Sequence, residues 1–223
     1  MNPAKVRALF NELSPSYDRL NRLFSLGMDV GWRKQLVAAV GRKSPVKILD
    51  LACGSGDVTQ MLQQALPNAL IMGLDFSRSL LTQAKGRGLS RLTEADALKL
   101  PFADESFDAV TIAFGLRNFS DRTKGLKEIA RILKKGAVFG LLEFSPPPMP
   151  WKIFWNLYLK QMMPPVAQLL ARQGDSFRYL AQSIAGFPAP SALNHELASA
   201  GLKLLFSRSF SARLVMLNIC IKS

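Results

Sequence analysis

The residue types best suited to chemistry sit in one short glycine loop. It reads Asp50-Leu51-Ala52-Cys53-Gly54-Ser55-Gly56-Asp57 and follows the apolar run Val46–Leu51. Residues 58–66 then have Val58, Met61, Leu62, Ala65 and Leu66 on one helical face. A strand–loop–helix junction of this kind is where open α/β sheets bind ligands, beyond the carboxyl ends of their strands. Gly54 and Gly56 permit a tight turn and let a ligand approach the backbone closely. Asp75 closes the next apolar run, ALIMGLD at 69–75, where it can accept hydrogen bonds from ribose hydroxyls. A dinucleotide fingerprint would continue G-x-G-x-x-G, but position 59 is Thr. Asp50, ahead of the loop, is a poor neighbour for a pyrophosphate and suits a cation such as an amino-acid ammonium group. Asp96-Ala97, after a weaker strand near 91–95, fits contact with an adenine edge.

Other chemistries lack their residues. The single His195 and two distant cysteines, Cys53 and Cys220, make neither a His/Cys zinc site nor a disulfide framework. No metal site is expected, and no Ser-His-Asp arrangement.

Periodicity gives the elements that must hold the loop. Ser77 is placed to cap a helix that Gly86 stops. FDAVTIAF at 107–114 is a strong strand. Ser120 or Asp121 caps a helix running to about Leu133, ended by Lys134-Lys135-Gly136, and Ala137–Phe144 is the next strand. Near-continuous apolar strands alternating with helices predict a parallel sheet covered on both faces. The tail differs: a helix over 191–200 is stopped by Gly201, and Lys203–Ser209 and Arg213–Lys222 follow with a short turn between them. Strands so close together form a hairpin, so one must run antiparallel to the rest. Residues 1–42 form a helical preface with Leu9, Phe10, Leu13, Tyr17, Leu20 and Phe24 at helical spacing. One domain is expected over 1–223, comprising the preface, a ligand-binding core at 43–144, an insertion at 145–190 and a terminal helix and hairpin at 191–223.

Composition agrees with one globular domain. Apolar residues make up 48% and charged residues 20% of 223, which excludes wholesale disorder and coiled coil. Lys5 and Arg7 have no apolar core after them, so the start does not read as a secretory signal. The uncharged tract 161–171 falls short of the roughly 20 residues a spanning helix needs. A cytoplasmic location is expected, on or off the inner face of a membrane. The net charge of +13 is uneven: +6 over residues 1–47, −3 over 48–111 and +10 over 112–223. Such an excess points to nucleic acid, an anionic membrane or acidic ligands.

Several blocks together resemble class I S-adenosylmethionine-dependent methyltransferases, and within them the ubiquinone/menaquinone biosynthesis C-methyltransferase family. They are Tyr17-Asp18-Arg19-Leu20-Asn21 with Ser25-Leu26-Gly27 and Trp32-Arg33, LDLACGSGD at 49–57, Asp75-Phe76-Ser77 and ADALKLPF at 95–102. FDAVTIAFGLRNF at 107–119, LLEFS at 141–145 and Asp175-Ser176-Phe177-Arg178-Tyr179-Leu180 complete the set. The resemblance implies a Rossmann-like fold with a mostly parallel seven-stranded sheet, an antiparallel C-terminal hairpin and a helical insertion after the fifth strand. It implies S-adenosylmethionine (SAM) as cofactor, with Ser55, Asp75, Asp96 and Ala97 at the family's binding positions beside Gly54. The chain departs from the family at Cys53 for Gly, Ser55 for Thr and Ala113 for Ser, and at Lys135 and Ala137 for Pro and Gly.

The implied reaction methylates a ring carbon of a lipid-tailed quinol. That carbon becomes nucleophilic when a neighbouring hydroxyl loses its proton. Arg117 and Asn118, just past the fourth strand, stand at the same sheet edge. Arg117 stays protonated and is a poor general base. It is expected to lower the pKa of a quinol hydroxyl or a bound water while Asn118 orients that oxygen. The plainer alternative is a surface arginine paired with Asp121. Tyr17 is expected to close over the cofactor and Tyr179 to line the substrate tunnel, with packing as the alternative for each.

Residues 146–172 hold no acid and place Trp151, Phe154, Trp155, Tyr158 and Met162 at helical spacing, opposite Lys152, Asn156 and Lys160. Such a helix either rests on an anionic bilayer and admits a prenyl tail, or packs on the domain or at a homodimer interface. A nucleic-acid methyltransferase is the rival enzyme class. Base-flipping amino-methyltransferases carry Asn/Asp-Pro-Pro-aromatic after the fourth strand, whereas this chain reads AFGLRN at 113–118, so no nucleic-acid partner is expected. A binding module that kept the cofactor pocket is the non-enzymatic rival. The expectation is a SAM-dependent C-methyltransferase of demethylmenaquinol, with a ubiquinone precursor or the phytylated naphthoquinone as alternative substrates.

Overall fold

The computed structural model describes Arg22, Tyr179 and residues 25–146 and 182–223. Tyr17, the apolar positions of the preface up to Phe24 and the aromatic stretch of the insertion lie outside the described residues.

Seven strands form one sheet in the order β3-β2-β1-β4-β5-β7-β6. After helix α1 (Met28–Gly41), the chain alternates β1 (Lys47–Leu51), α2 (Asp57–Ala65), β2 (Leu70–Asp75), α3 (Arg78–Gly86) and β3 (Leu92–Glu94). Then come β4 (Phe107–Ala113), a 3-10 turn (Leu116–Asn118), α4 (Arg122–Ile132), β5 (Leu133–Phe144), α5 (Pro190–Ser199), β6 (Leu202–Phe210) and β7 (Val215–Lys222). β1 pairs in parallel with β2 and β4, and the parallel ladders extend to β3 and β5. β7 inserts antiparallel between β5 and β6, as the hairpin required.

The caps follow the sequence. Ser77 accepts from the Leu80 amide and Asp121 from the Lys124 amide, each satisfying an orphan donor of a first helical turn. Gly201 adopts φ +82 just beyond α5. One boundary differs from the sequence reading. β5 starts at Leu133, not Ala137, because Leu133 already pairs with Phe107 before the ladder slips to Val138 opposite Ala109. Lys134, Lys135 and Gly136 occupy that irregularity inside the strand and do not form a separate turn.

Burial on both faces explains the continuous apolar strands. Leu49 and Leu51 of β1 face a core that includes Leu126 and Ile129 of α4 and Leu193 and Leu197 of α5. Ile48 faces the opposite core, with Trp32, Leu36 and Val40 of α1 and Val58 and Leu62 of α2. Asp50 therefore falls on the α1–α2 face, inside the protein, and must be satisfied there.

Candidate active site

A cavity of about 860 Å³ opens over the carboxyl ends of β1, β2, β3 and β4. That volume lies within the roughly 300–1,000 Å³ of small-molecule sites. Its lining includes Gly54, Ser55, Asp75, Asp96, Ala97 and Asn118, so six of the residues singled out in the sequence share one wall.

The glycine loop is held from below. Asp75 Oδ2 accepts from the Gly54 amide at 2.9 Å and Oδ1 from the Ser77 amide at 2.9 Å. Burial raises the Asp75 pKa, opposed by the backbone donors of Ser77, Gly54 and Phe76. Asp75 thus shapes the loop as well as offering lone pairs to a ribose. Gly56 has φ +92, and a Cβ there would strike the Leu89 side chain, so only glycine fits. Across the cavity, the β1 and β4 loops touch at Gly115, where an added Cβ would lie 2.6 Å from Ala52 Cβ. Ala52 (φ 55) and Phe114 (φ 61) both adopt the left-handed region, and both line the cavity.

Asp50 is 1% exposed. Its Oδ1 accepts from Thr111 Oγ1 at 2.9 Å and its Oδ2 from Thr59 Oγ1 at 2.6 Å. Burial is the dominant influence and raises its pKa from 3.8 to about 6, against the lowering pull of both threonines and Arg33. Burial also pushes the Cys53 thiol well above its usual range, helped by the charges of Asp50 and Asp75. A thiol so disfavoured as thiolate is inert as a nucleophile. Asp96 keeps one carboxylate oxygen in a local turn, accepting from the Leu98 amide at 2.9 Å, while the residue lines the cavity.

The structure separates the two candidates after β4. Asn118 lines the cavity, and the Tyr179 hydroxyl donates to its Oδ1 at 2.8 Å. That bond fixes the amide so that Nδ2 is left to donate. Tyr179 and Phe76 also pack against Leu80; Phe76 and Leu80 line the cavity, whereas Tyr179 does not belong to its described lining. Arg117 points elsewhere. It is 8% exposed and does not belong to the described lining. Its Nη1 donates to Glu143 Oε1 at 2.7 Å and to the Phe114 carbonyl, and its guanidinium stacks over Phe144 at 5.2 Å. Glu143, itself 1% exposed, also accepts from the backbone amides of Arg117 and Phe144. Arg117 is thus paired with Glu143 and is not a surface residue paired with Asp121. The reason is local: a glutamate on β5 lies behind the 3-10 turn, and Asp121 is committed to capping α4.

The sequence reading assigned no role to Arg33 and Asp57, which both line the cavity. Arg33 pairs with Asp29 one turn earlier in α1, and Asp57 opens α2 and pairs with Arg87 at 2.8 Å. The i,i+4 spacing of Asp29 and Arg33 was the available signal.

Among the described residues no cluster of three or more His, Cys, Asp or Glu could hold a metal, and no helix is long and apolar enough to cross a membrane.

The sequence profile of the ubiE/COQ5 methyltransferase family matches residues 1–222. The chain belongs to the ubiE/COQ5 methyltransferase family. A relative from Thermus thermophilus, named demethylmenaquinone methyltransferase, is 43% identical over 204 residues, covering 89% of this chain and 93% of its own. Relatives of the same name from Deinococcus radiodurans (39% identical; 89% of this chain, 85% of its own) and Staphylococcus aureus (37%; 98% and 93%) agree. Solved structures share the fold at low identity. The methyltransferase in complex with the Trm112 activator from Haloferax volcanii has TM-score 0.68 at 18% identity, covering 96% of this chain and 97% of its own. A SAM-dependent methyltransferase from Aquifex aeolicus has TM-score 0.58 at 14% identity, covering 80% and 82%. The [4+2]-cyclase SpnF also matches, at TM-score 0.59 and 22% identity over 81% and 61%, so fold alone does not fix the reaction.

As a member of this family, the protein is a SAM-dependent methyltransferase. The lining fits the cofactor in its chemistry: it brings together Asp75 and Asp96, carboxylates suited to ribose hydroxyls and an adenine edge, with Asp50, a carboxylate suited to an ammonium group.

Proposed function

We propose that the protein methylates a ring carbon of demethylmenaquinol to give menaquinol. The placement of Asn118 carries this reading: its amide, oriented by Tyr179, shares one cavity with the carboxylates suited to the cofactor. The relatives' printed name supports the substrate. When bound, SAM supplies an electrophilic methyl group on sulfur. The protein has little covalent work to do, and catalysis rests on positioning and electrostatics. Asn118 Nδ2 donates to the quinol oxygen and favours its deprotonated form, which pushes electron density onto the ring carbon. Tyr179 keeps the amide in that orientation. Arg117 acts as a positioning residue: with Glu143 it fixes the 3-10 turn that presents Asn118.

A quinol with a prenyl tail is delivered from a bilayer, and the positive excess over residues 1–47 and 112–223 supports an anionic membrane surface as partner. Sedimentation with anionic vesicles is expected to carry the protein down, and no binding would remove the membrane from the account.

The test is methyl transfer from labelled SAM to reduced and to oxidised demethylmenaquinone. Label is expected on the ring of the reduced form alone. Equal labelling of the oxidised quinone would refute the phenolate route.

A further inference from the structure

Arg33 lines the same cavity as Asp75 and Asp96. It rises from α1, is 7% exposed, and its guanidinium carbon sits 5.2 Å from the centre of the Phe114 ring. Nη1 pairs with Asp29, and Nε is 3.9 Å from Asp57 Oδ2. Arg22 bridges the same two acids, at 3.0 Å to Asp29 and 3.4 Å to Asp57, and Arg87 joins at Asp57. Three arginines therefore share two aspartates. The side chains of Arg22 and Arg87 are 38% and 33% exposed and that of Arg33 only 9%, so the Arg33 charge is the one water solvates least. Among the described residues Nη2 of Arg33 meets no hydrogen-bond acceptor, and the residue faces the cavity. Asp50, close enough to feel the Arg33 charge, lines the same cavity.

The cavity therefore presents a buried cation together with a buried carboxylate, the complement of an amino-acid zwitterion. We propose that Arg33 anchors the α-carboxylate of the cofactor's methionyl end, held in place by Asp29 and Asp57, while Asp50 serves the ammonium. The inference rests on SAM being the cofactor of this cavity. The planar fork suits a carboxylate, and the phenyl face beneath it and the two acids behind it fix its plane before the ligand arrives. Arg33 then sets which adenosyl ligands are accepted, because a ligand lacking the carboxylate leaves the buried guanidinium uncompensated.

The test is a binding cycle that needs no turnover. Affinities of S-adenosylhomocysteine and its decarboxylated counterpart are measured calorimetrically for the wild type, Arg33→Gln and Arg33→Lys. The wild type is expected to prefer the carboxylate-bearing ligand about 10- to 100-fold, the span of a charge-assisted hydrogen bond. Arg33→Gln should bring the two ligands within about threefold, chiefly by weakening the first. Arg33→Lys should keep an intermediate preference, and it carries the test if the Gln variant does not fold. Equal weakening of both ligands in either variant would make Arg33 a purely structural residue and overturn the proposal. A wild type that binds both ligands equally would overturn it as well. A wild type that binds neither would overturn the SAM assignment itself, and the anchor with it.

Discussion

Asp50→Asn should stabilise the protein at neutral pH and weaken the cofactor. The Asp50 pKa rises from 3.8 to about 6 because the buried carboxylate is desolvated more than Thr59 and Thr111 repay. A carboxyl whose folded pKa is raised favours folding while it is neutral. That contribution is complete below about pH 4 and is lost as the pH rises through 6, so above 7 the charge costs the fold ~3 kcal/mol. Asparagine removes the charge but offers one oxygen to two threonine hydroxyls, a loss of ~1 kcal/mol. The net gain is ~2 kcal/mol at pH 8, or about 4–8 °C in Tm for a chain of this size. About half of the ~3 kcal/mol electrostatic gain has gone by pH 5, since the wild-type carboxyl is then largely protonated. Urea unfolding of both proteins at pH 8 and pH 5, without ligand, measures this. Calorimetry alongside should give a SAM affinity that falls below pH 6 in the wild type and is flatter and weaker in the variant. A variant less stable at pH 8, or equally stabilised at both pH values, refutes the desolvation argument. Unchanged SAM binding separates Asp50 from the ammonium.

Three further substitutions probe the site's construction. Gly115→Ala puts a Cβ 2.6 Å from Ala52 Cβ, and because neither Cβ can rotate away the clash should cost ~1–3 kcal/mol in urea unfolding and loosen SAM binding. Glu143→Gln leaves the Arg117 guanidinium buried without its counter-ion, and a loss of ~3–5 kcal/mol is expected in thermal or urea unfolding. Tyr179→Phe removes the 2.8 Å bond to Asn118, and steady-state kinetics should show kcat/KM for the quinol falling about 3- to 10-fold with SAM affinity unchanged. An unaltered kcat/KM would reduce Tyr179 to packing against Leu80.

The cofactor end was legible because its signals are local. A glycine loop after an apolar strand and an acid at the end of the next strand needed only the period of the chain, and Asp75 and Gly54 meet as that pattern implies. The hairpin was equally plain from the short gap between two apolar runs, although the insertion of β7 between β5 and β6 depends on long-range pairing. Arg117 was not legible. Its partner Glu143 lies 26 positions away on the neighbouring strand, and no local pattern reveals a pairing made across a sheet. Arg33 was hidden for a similar reason: its helix reaches the cavity only because Leu36 and Val40 dock over β5, as the tight space at Gly140 records.

The central claim is that a quinol ring, and no other acceptor, receives the methyl group. Labelled SAM supplied together with reduced demethylmenaquinone, a reduced benzoquinone precursor and tRNA tests it in one reaction. The account predicts label on a ring carbon of the naphthoquinol. Label in tRNA, or in neither quinol, would contradict it.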